Sequence, residues 1–259
     1  MKPLNRVFIR LLIITAIPEL YGELKIESTA ADCISNAVAC LRRNIDEEIA
    51  GLSAVVVHED VEQYSSAHGT TRRTGSLEAN AEVIDGLENY TEVKQYGREV
   101  FTVGQISGIW SFGELATLLR TSRDALGTSA LSGVSHTVDE RELALLAVFH
   151  CRAKSQRWFV AIDSRIHWLD FQGEVWMSAA TGQVLRIRWT SGDLPVDTGI
   201  HRIVWTVSFK AVSIGGRIYV LPESTEYRVI HRAGWIEWNV TRIEPRGRYG
   251  SKVWVSFGE

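Results

Sequence analysis

The sequence has little net charge and, beyond its first residues, no long hydrophobic run. Its 28 basic and 31 acidic residues leave a formal charge of −3, so no global electrostatic attraction draws the chain to nucleic acid, and we predict no nucleic-acid partner. No stretch after the N-terminal segment reaches the roughly eighteen apolar residues of a transmembrane helix. A hydrophobic share of 45% is ordinary for a globular chain that buries a sizeable core.

The sequence also lacks the motifs of metal binding and catalysis. Its seven histidines show no HxxxH or HExxH spacing and there is no Cys-x-x-Cys, so we predict no metal site. There is no G-x-S-x-G, phosphate loop or dinucleotide fingerprint. Asp163, Asp170 and Glu174 could supply paired carboxylates of the kind that glycosidases use, but acidic residues near turns are common. We therefore expect a protein that is not an enzyme and carries no cofactor.

Cysteine is scarce and odd in number. Cys33 and Cys40 stand seven residues apart in a predicted helix, where a rise of about 1.5 Å per residue separates them by roughly 10 Å. That distance exceeds the separation that a disulfide tolerates. We expect buried free thiols, and a bond from Cys151 to one of the others is the alternative if the fold brings the helix to that strand.

The N-terminus has the outline of a secretory signal. Basic residues precede a short apolar run over Leu11–Ile17, and small residues follow at 28–30. The run is too short to span a bilayer. We therefore expect a periplasmic or secreted protein, with residues 1–27 as a signal or N-terminal segment and residues 28–259 as a single β-rich domain. The alternative is an uncleaved, partly disordered N-terminus.

Two segments have the pattern of amphipathic helices. The first lies near residues 28–50 and is ended by Gly51, and the second near residues 111–126, where Ser111 and Glu114 have the spacing of a capping box. In the first helix, apolar residues recur every three or four positions, at Ile34, Val38, Leu41, Ile45 and Ile49.

The rest of the chain is predicted to be mostly strands, joined by short turns into an antiparallel meander. Residues 127–137 are small and polar and predict a loop, whereas residues 139–152 fit either a helix or a strand. The resulting fold class is α+β, with about ten or eleven strands in a curved, incompletely closed sheet and about two helices over its concave face.

Alternation of side chains along two strands predicts one apolar face. If the helices leave part of this face uncovered, the cleft suits an apolar ligand such as a lipid or acyl chain. The alternatives are a face that is simply core, and an envelope scaffold that binds a protein partner through a sheet edge or its basic C-terminal strands. The predicted wall consists of Leu185, Ile187, Trp189, Ile203, Trp205, Val207 and Phe209.

Several stretches resemble a group of secreted bacterial proteins of unknown function. They are "SFGELATLLRT", "GEVWMSAATGQVLRIRW", "SGDLPVDTGIHRIVWTVSFKAVSIGGRIYVLPESTEYRV" and "WIEWNVTRIEPRGRYGSKVWVSFG". The resemblance covers roughly residues 50–257 and involves turn and packing positions. Where the group has Asn-Glu-Ile-Glu-Phe, this chain has "WIEWN" at 235–239, and only Glu237 matches.

The layout of that group is similar to the periplasmic lipoprotein carriers of the LolA and LolB type. Their fold is an incomplete antiparallel barrel with helices over a hydrophobic cavity. The resemblance implies a binding or structural role without catalytic residues, and it implies no particular substrate.

Overall fold

The computed structural model describes residues 37–52, 55–84, 87–101, 105–127, 130–140, 142–162, 165–214 and 216–248. The predicted signal segment and the beginning of the first predicted helix lie outside the described residues. Within these residues the α-helices are α1 (Ala37–Leu52) and α2 (Thr117–Leu126). The strands are β1 (Val55–Ala67), β2 (Thr70–Ile84), β3 (Leu87–Gln95), β4 (Arg98–Glu99), β5 (Leu131–Asp139), β6 (Glu142–Cys151), β7 (Phe159–Ile162), β8 (Arg165–Trp168), β9 (Phe171–Ser178), β10 (Val184–Ser191), β11 (Ile200–Ile214), β12 (Arg217–His231) and β13 (Ile236–Arg248).

Eleven strands form one open antiparallel sheet in the order β4-β3-β2-β1-β13-β12-β11-β10-β9-β6-β5, and β7 and β8 form a separate hairpin. This confirms the predicted α+β class with two helices and an incompletely closed sheet. Two neighbouring pairs of the described strands are not consecutive in the chain. β6 pairs with β9 on the other side of the β7–β8 hairpin, and the first long strand, β1, pairs with β13, the last described strand. The β1–β13 pair joins the N-terminal hairpins to the C-terminal meander.

Both helices cover the same face of the sheet, which we call the inner face. Leu41 and Ile45 of α1 are completely buried, as are Leu118 and Leu119 of α2. The helices contact each other through an ion pair in which Arg123 Nη1 lies 2.5 Å from Asp46 Oδ1. The amphipathic periodicity of the sequence therefore identified the helix surfaces that pack on the sheet.

Polar side chains lock α1 to the sheet. Asn44 Nδ2 donates to the Gly182 carbonyl at 2.5 Å, and Glu48 Oε1 accepts the Val184 N–H at 2.9 Å. Glu48 Oε2 is buried without a partner among the described residues. Because burial disfavours the charged form of a carboxyl, the pKa of Glu48 rises to about 8.

The first correction concerns residues 127–137. This segment was predicted to be a loop, but most of it belongs to strand β5, whose residues pair with β6 from Leu131↔Phe149 to Asp139↔Glu142. β5 is an edge strand and is exposed along most of its length. A strand that is wet on both faces has no hydrophobic alternation, which is why the pattern was missed. The ambiguous segment 139–152 is largely the buried strand β6.

The cysteine prediction was also wrong in part. Cys40 is disulfide-bonded, whereas the expectation was a free thiol. Cys151 is a buried free thiol as expected, so the alternative of a bond from Cys151 does not hold. Cys33, the remaining cysteine, lies outside the described residues.

A glycine makes room for an aromatic ring on β6, the strand next to the β5 edge of the sheet. Gly173 on β9 lies opposite Phe149 on β6, and a Cβ atom at Gly173 would lie 2.0 Å from Phe149 Cζ. The Phe149 side chain is completely buried, so the ring cannot swing into solvent. Glycine is required here for the close approach of the ring.

We expect Gly173→Ala to lower the free energy of unfolding by about 1–3 kcal/mol, because the added methyl overpacks the core. Urea denaturation monitored by tryptophan fluorescence measures the change. Gly133→Ala on β5 is the matched control, since no atom lies within 4 Å of a Cβ at that position. Equal stability of the two variants would contradict the packing argument.

Candidate ligand-binding site

The structure gathers six of the seven predicted wall residues on the inner face of β10 and β11. Ile187 pairs with Val207 and Trp189 with Trp205 across the two strands. Ile203 and Phe209 are also buried on β11. Whether these side chains contact a ligand stays a prediction.

Leu185 is only half-buried, because a β-bulge interrupts the alternation between Val184 and Arg186. Val184 takes the inner position instead and is almost fully buried. Simple alternation therefore assigned Leu185 to the wall, whereas the residue on the inner face at this point is Val184.

Aromatic rings fill the inner face around these strands. The Trp189 ring centroid lies 4.7 Å from Phe171, 5.5 Å from Trp158 and 5.6 Å from Trp205. Trp189 Nε1 also donates to Ser122 Oγ of α2 at 3.2 Å. This cluster, formed by Trp158, Phe171, Trp189 and Trp205, is called the aromatic cluster below.

The inner face changes character towards β12, β13 and β1. In one row across the strands, Trp205 is followed by Tyr227, then Asn239, then Gln63. The next row continues from Val207 through Thr225 and Thr241 to Val61. An apolar face throughout was predicted, and this polar region was missed, although alternation along β1 places Glu59 and Gln63 in phase with Val57 and Val61.

A segment without strand or long-helix structure covers the polar region. We call residues 105–116 the strap. Gln63 Nε2 donates to the Ile109 carbonyl at 2.5 Å. Gln95 makes a two-sided contact with Ser107, donating from Nε2 to the carbonyl at 2.8 Å and accepting the N–H on Oε1 at 3.0 Å. Side-chain amides of the sheet thus hold the strap in place.

Glycine lets the strap approach the sheet closely. Gly108 has φ +82°, and a Cβ there would lie 3.0 Å from Gln63 Nε2. Both the backbone conformation and the space favour glycine at this position.

Beneath the strap lies a small cavity of about 10 Å³, which is room for about one water molecule. Its apolar walls are Val61, Leu77, Ala79 and Val93. Three aromatic rings from β3 and the strap, Tyr90, Trp110 and Phe112, complete the lining. The Phe112 centroid lies 4.8 Å from Tyr90 and 4.0 Å from Trp110.

Two buried side chains that line the cavity have polar atoms without partners. Asn239 is 1% exposed, and within the described part of the chain neither Nδ2 nor Oδ1 has a hydrogen-bond partner. Glu59 is 3% exposed, and its Oε1 likewise lacks one among these residues. Because buried polar groups are normally hydrogen-bonded, these atoms indicate a place that is suited to another polar group.

Two further glutamates, Glu88 and Glu114, lie near Glu59, which lines the cavity. Burial, with the nearby Glu114 and Glu88 carboxylates, holds the pKa of Glu59 well above its usual range. Burial and the Glu88 charge raise the pKa of Glu114 to about 7. Ser111 Oγ donates to Glu114 Oε1 at 2.5 Å. The Tyr90 hydroxyl donates to Glu88 Oε2 at 2.8 Å and accepts the Gly113 N–H at 3.1 Å.

Glu88 also accepts hydrogen bonds from the N-terminus of α2. Its Oε1 accepts the N–H groups of Ala116 at 2.7 Å and Thr117 at 2.9 Å. A carboxylate from β3 therefore satisfies the helix N-terminus, which favours negative charge. The predicted start at Ser111 was wrong, because α2 begins at Thr117 and the Ser111–Glu114 pair belongs to the strap.

The acidic residues considered for catalysis lie elsewhere. Asp170 accepts the Ala153 N–H at 2.5 Å, and Glu174 accepts from Gln172 Nε2 at 2.8 Å. Asp163 lies outside the described residues. Across the described ranges, no group of three His, Cys, Asp or Glu side chains is placed to hold a metal ion.

No helix within the described residues combines the length and the apolar character that crossing a membrane requires.

The chain was compared with known proteins. No family model matches the sequence, and no curated protein matches it. Among solved structures, the chain is similar to a LolA superfamily protein from Nitrosomonas europaea, with 11% identity, a TM-score of 0.37, and coverage of 83% of this chain and 97% of that one. It is also similar to a DUF1329 family protein from Desulfovibrio piger, with 12% identity, a TM-score of 0.41, and coverage of 85% and 94%.

A third similarity is to a domain from Vibrio parahaemolyticus named for outer membrane lipoprotein sorting. Identity is 8%, the TM-score is 0.29, and the match covers 81% of this chain and 91% of that one. The resemblance predicted from the sequence is thus confirmed as a structural similarity. The function has to be argued from the site itself.

Proposed function

We propose that the protein binds an apolar chain, such as an acyl chain or another lipid moiety, between the inner face of the sheet and the strap. The observation that carries this proposal is the cavity under the strap, whose walls are apolar and aromatic and whose cover is attached by side chains. Tyr227 connects this region to the aromatic cluster, since its ring centroid lies 6.1 Å from that of Trp205. The chain would extend from the cavity along the inner face towards the predicted wall on β10 and β11.

Binding requires the strap to lift, because the cavity itself holds no more than a water molecule. The attachments of the strap suit this movement, since Gln63 and Gln95 hold it through side-chain amides and not through the pairing of a strand. Trp110 is half-buried and Phe112 is 37% exposed, so both rings have apolar surface to pack on a bound chain. Each methylene buried contributes about 0.8 kcal/mol, so a chain of about ten methylenes can offset the lost strap contacts.

In this proposal the protein binds its ligand without catalysis and acts outside the cytoplasm. The basic and apolar N-terminus supports export to the periplasm or secretion. Lipid or a lipid-modified protein in the cell envelope is the source of apolar chains that this proposal implies.

The test is native mass spectrometry of the purified protein, followed by organic extraction and binding of the neutral fluorescent probe N-phenyl-1-naphthylamine. We expect a co-purifying lipid or a saturable fluorescence increase. Replacing both strap aromatics, Trp110→Ala with Phe112→Ala, should weaken probe binding at least fivefold, because these rings line the cavity. Phe101→Ala is the matched control, since Phe101 is 79% exposed and lies outside the lining. A bare polypeptide mass together with no probe binding would rule the proposal out.

A second candidate is binding of a protein partner at the β5 edge. Within the described sheet, β5 pairs with β6 alone. Val138 and Leu143, which face each other across β5 and β6, are 61% and 65% exposed. An exposed apolar edge of this kind supports addition of a partner strand. The same native mass spectra distinguish this candidate, because it predicts a stoichiometric protein complex without extractable lipid.

A further inference from the structure

The Glu59 end of the site provides a basis for predicting which ligands the site prefers. We propose that this end receives the head group of the bound amphiphile, and that the favoured head group is an organic cation, such as an alkylammonium, over a carboxylate or phosphate. This inference deepens the proposed function and rests on it.

Buried polar atoms that line the cavity are the first feature that favours a polar head group. Glu59 Oε1 and both amide atoms of Asn239 are buried, line the cavity and lack hydrogen-bond partners within the described ranges. On β1 and β13, Glu59 lies opposite Ile243 and Gln63 lies opposite Asn239. Glu59 and Asn239 are therefore separated by about four residues, roughly 13 Å along the strands. The site that opens when the strap lifts thus has a carboxyl at one end and an amide at the other, with apolar side chains between.

The ionisable side chains around the cavity favour a positively charged head group. Among the described residues that line the cavity, the ionisable side chains are Glu59 and Tyr90, and both are acids. Glu114 and Glu88 reinforce the negative potential at Glu59. Two nearby positive groups already interact with Glu88. They are the N-terminus of α2, whose N–H groups donate to Glu88 Oε1, and Arg120, which interacts with Glu88 electrostatically. Glu88 and Glu114 keep the potential negative even while Glu59 is protonated. A carboxylate or phosphate would meet repulsion here, whereas a cation would be stabilised and would allow Glu59 to ionise.

The aromatic lining of the cavity also favours a cation. Tyr90, Trp110 and Phe112 surround the cavity with ring centroids 4.0 and 4.8 Å apart between neighbours. Faces of aromatic rings attract cations, and clusters of them recognise quaternary ammonium groups. Carboxyl groups and aromatic rings in one cavity favour the same kind of head group.

Pairing of a cationic head group with Glu59 releases one proton. Burial holds Glu59 protonated in the free protein, so an alkylammonium or a quaternary ammonium that pairs with the carboxylate displaces the Glu59 proton, which passes to solvent. Binding of an alkyltrimethylammonium should therefore tighten as the pH rises, until Glu59 is ionised in the free protein.

The experiment compares ligands that share one hydrocarbon chain: dodecyltrimethylammonium, dodecylamine, dodecanol and dodecanoate. Each displaces N-phenyl-1-naphthylamine from the full-length protein at pH 7, below its micelle concentration. We expect both cationic ligands to bind at least tenfold more tightly than dodecanoate. The affinity of dodecanol should lie between those of the cations and that of dodecanoate.

Substitutions then locate the preference. Glu59→Gln keeps the size of the side chain but cannot ionise. It should reduce the ratio of the affinity for dodecyltrimethylammonium to the affinity for dodecanoate at least threefold. Glu62→Gln is the matched control on the same strand. Glu62 faces away from the cavity and is ion-paired with Arg73, so this variant should keep the ratio of the unmodified protein.

The outcomes separate the two proposals. Equal or tighter binding of dodecanoate overturns the head-group inference and leaves the proposed apolar binding intact. A preference that Glu62→Gln reduces as much as Glu59→Gln also overturns the inference, because it would reflect general surface charge. If neither the probe nor any dodecyl ligand binds, the proposed function fails and the inference fails with it.

Discussion

Acidification from pH 8 to pH 5 is expected to stabilise the folded protein. Glu48 and Glu114 have pKa values of about 8 and about 7 in the fold, both raised chiefly by burial. An unfolded chain ionises its glutamates near pH 4.3. Between that value and the raised pKa, the folded state holds a proton that the unfolded state has released. The free energy of unfolding therefore falls as the pH rises through this window, and it recovers on acidification.

The expected size of the effect is several kcal/mol. One carboxyl contributes at most about 1.4 kcal/mol per pH unit, so Glu48 alone accounts for up to about 4 kcal/mol between pH 5 and pH 8. Glu114 acts in the same direction over a narrower window, and the raised pKa of Glu59 adds to it. Urea denaturation at pH 5, 6, 7 and 8 measures the slope directly.

Glu48→Gln tests the assignment, because glutamine keeps an oxygen for the Val184 N–H and cannot ionise. This variant should be close to the unmodified protein at pH 5 and more stable than it at pH 8. Glu62→Gln, on the exposed side of β1, should keep the original slope. If stability instead increases from pH 5 to pH 8, the buried carboxyls are ionised in the fold and the argument from desolvation is wrong.

Local patterns predicted the elements of this fold better than their pairing. Alternation along β10 and β11 identified buried Ile187 and Trp205, because one face of each strand packs under the helices. The β1–β13 pairing joins Val55 to Arg248, and no turn between neighbouring strands can specify such a contact. The edge strand β5 was missed for the opposite reason, since exposure on both faces leaves no alternation to detect.

The candidate site was predicted only in part, because its polar region depends on distant contacts. Glu59 occurs in phase with Val57 and Val61, so the alternation of β1 already placed it inside. Glutamates are rarely buried, so the alternation alone did not identify Glu59 as part of a buried site. The strap is held by Gln63 and Gln95 across 46 and 12 residues of sequence. No local pattern near residues 105–116 indicates where that segment lies.

The second large effect is expected from truncating the aromatic cluster. Trp189→Ala should lower the free energy of unfolding by about 3–5 kcal/mol, the range for removing a fully buried large aromatic side chain. Trp189 is 1% exposed and packs against Trp158, Phe171 and Trp205. Its loss would also leave Ser122 Oγ of α2 without the indole N–H that it accepts. Thermal and urea denaturation at fixed pH measure the change.

Trp176→Ala is the matched control, because Trp176 lies on the neighbouring strand β9 but faces the opposite side of the sheet. There its ring is half-buried and stacks under the Arg186 guanidinium at 4.8 Å, an interaction worth about 0.5–1 kcal/mol at exposed sites. We expect this variant to lose less than half of what Trp189→Ala loses. Equal losses would mean that the two faces of the sheet contribute alike to stability. The inner face would then no longer be distinguished as the core on which the helices, the strap and the proposed ligand all pack.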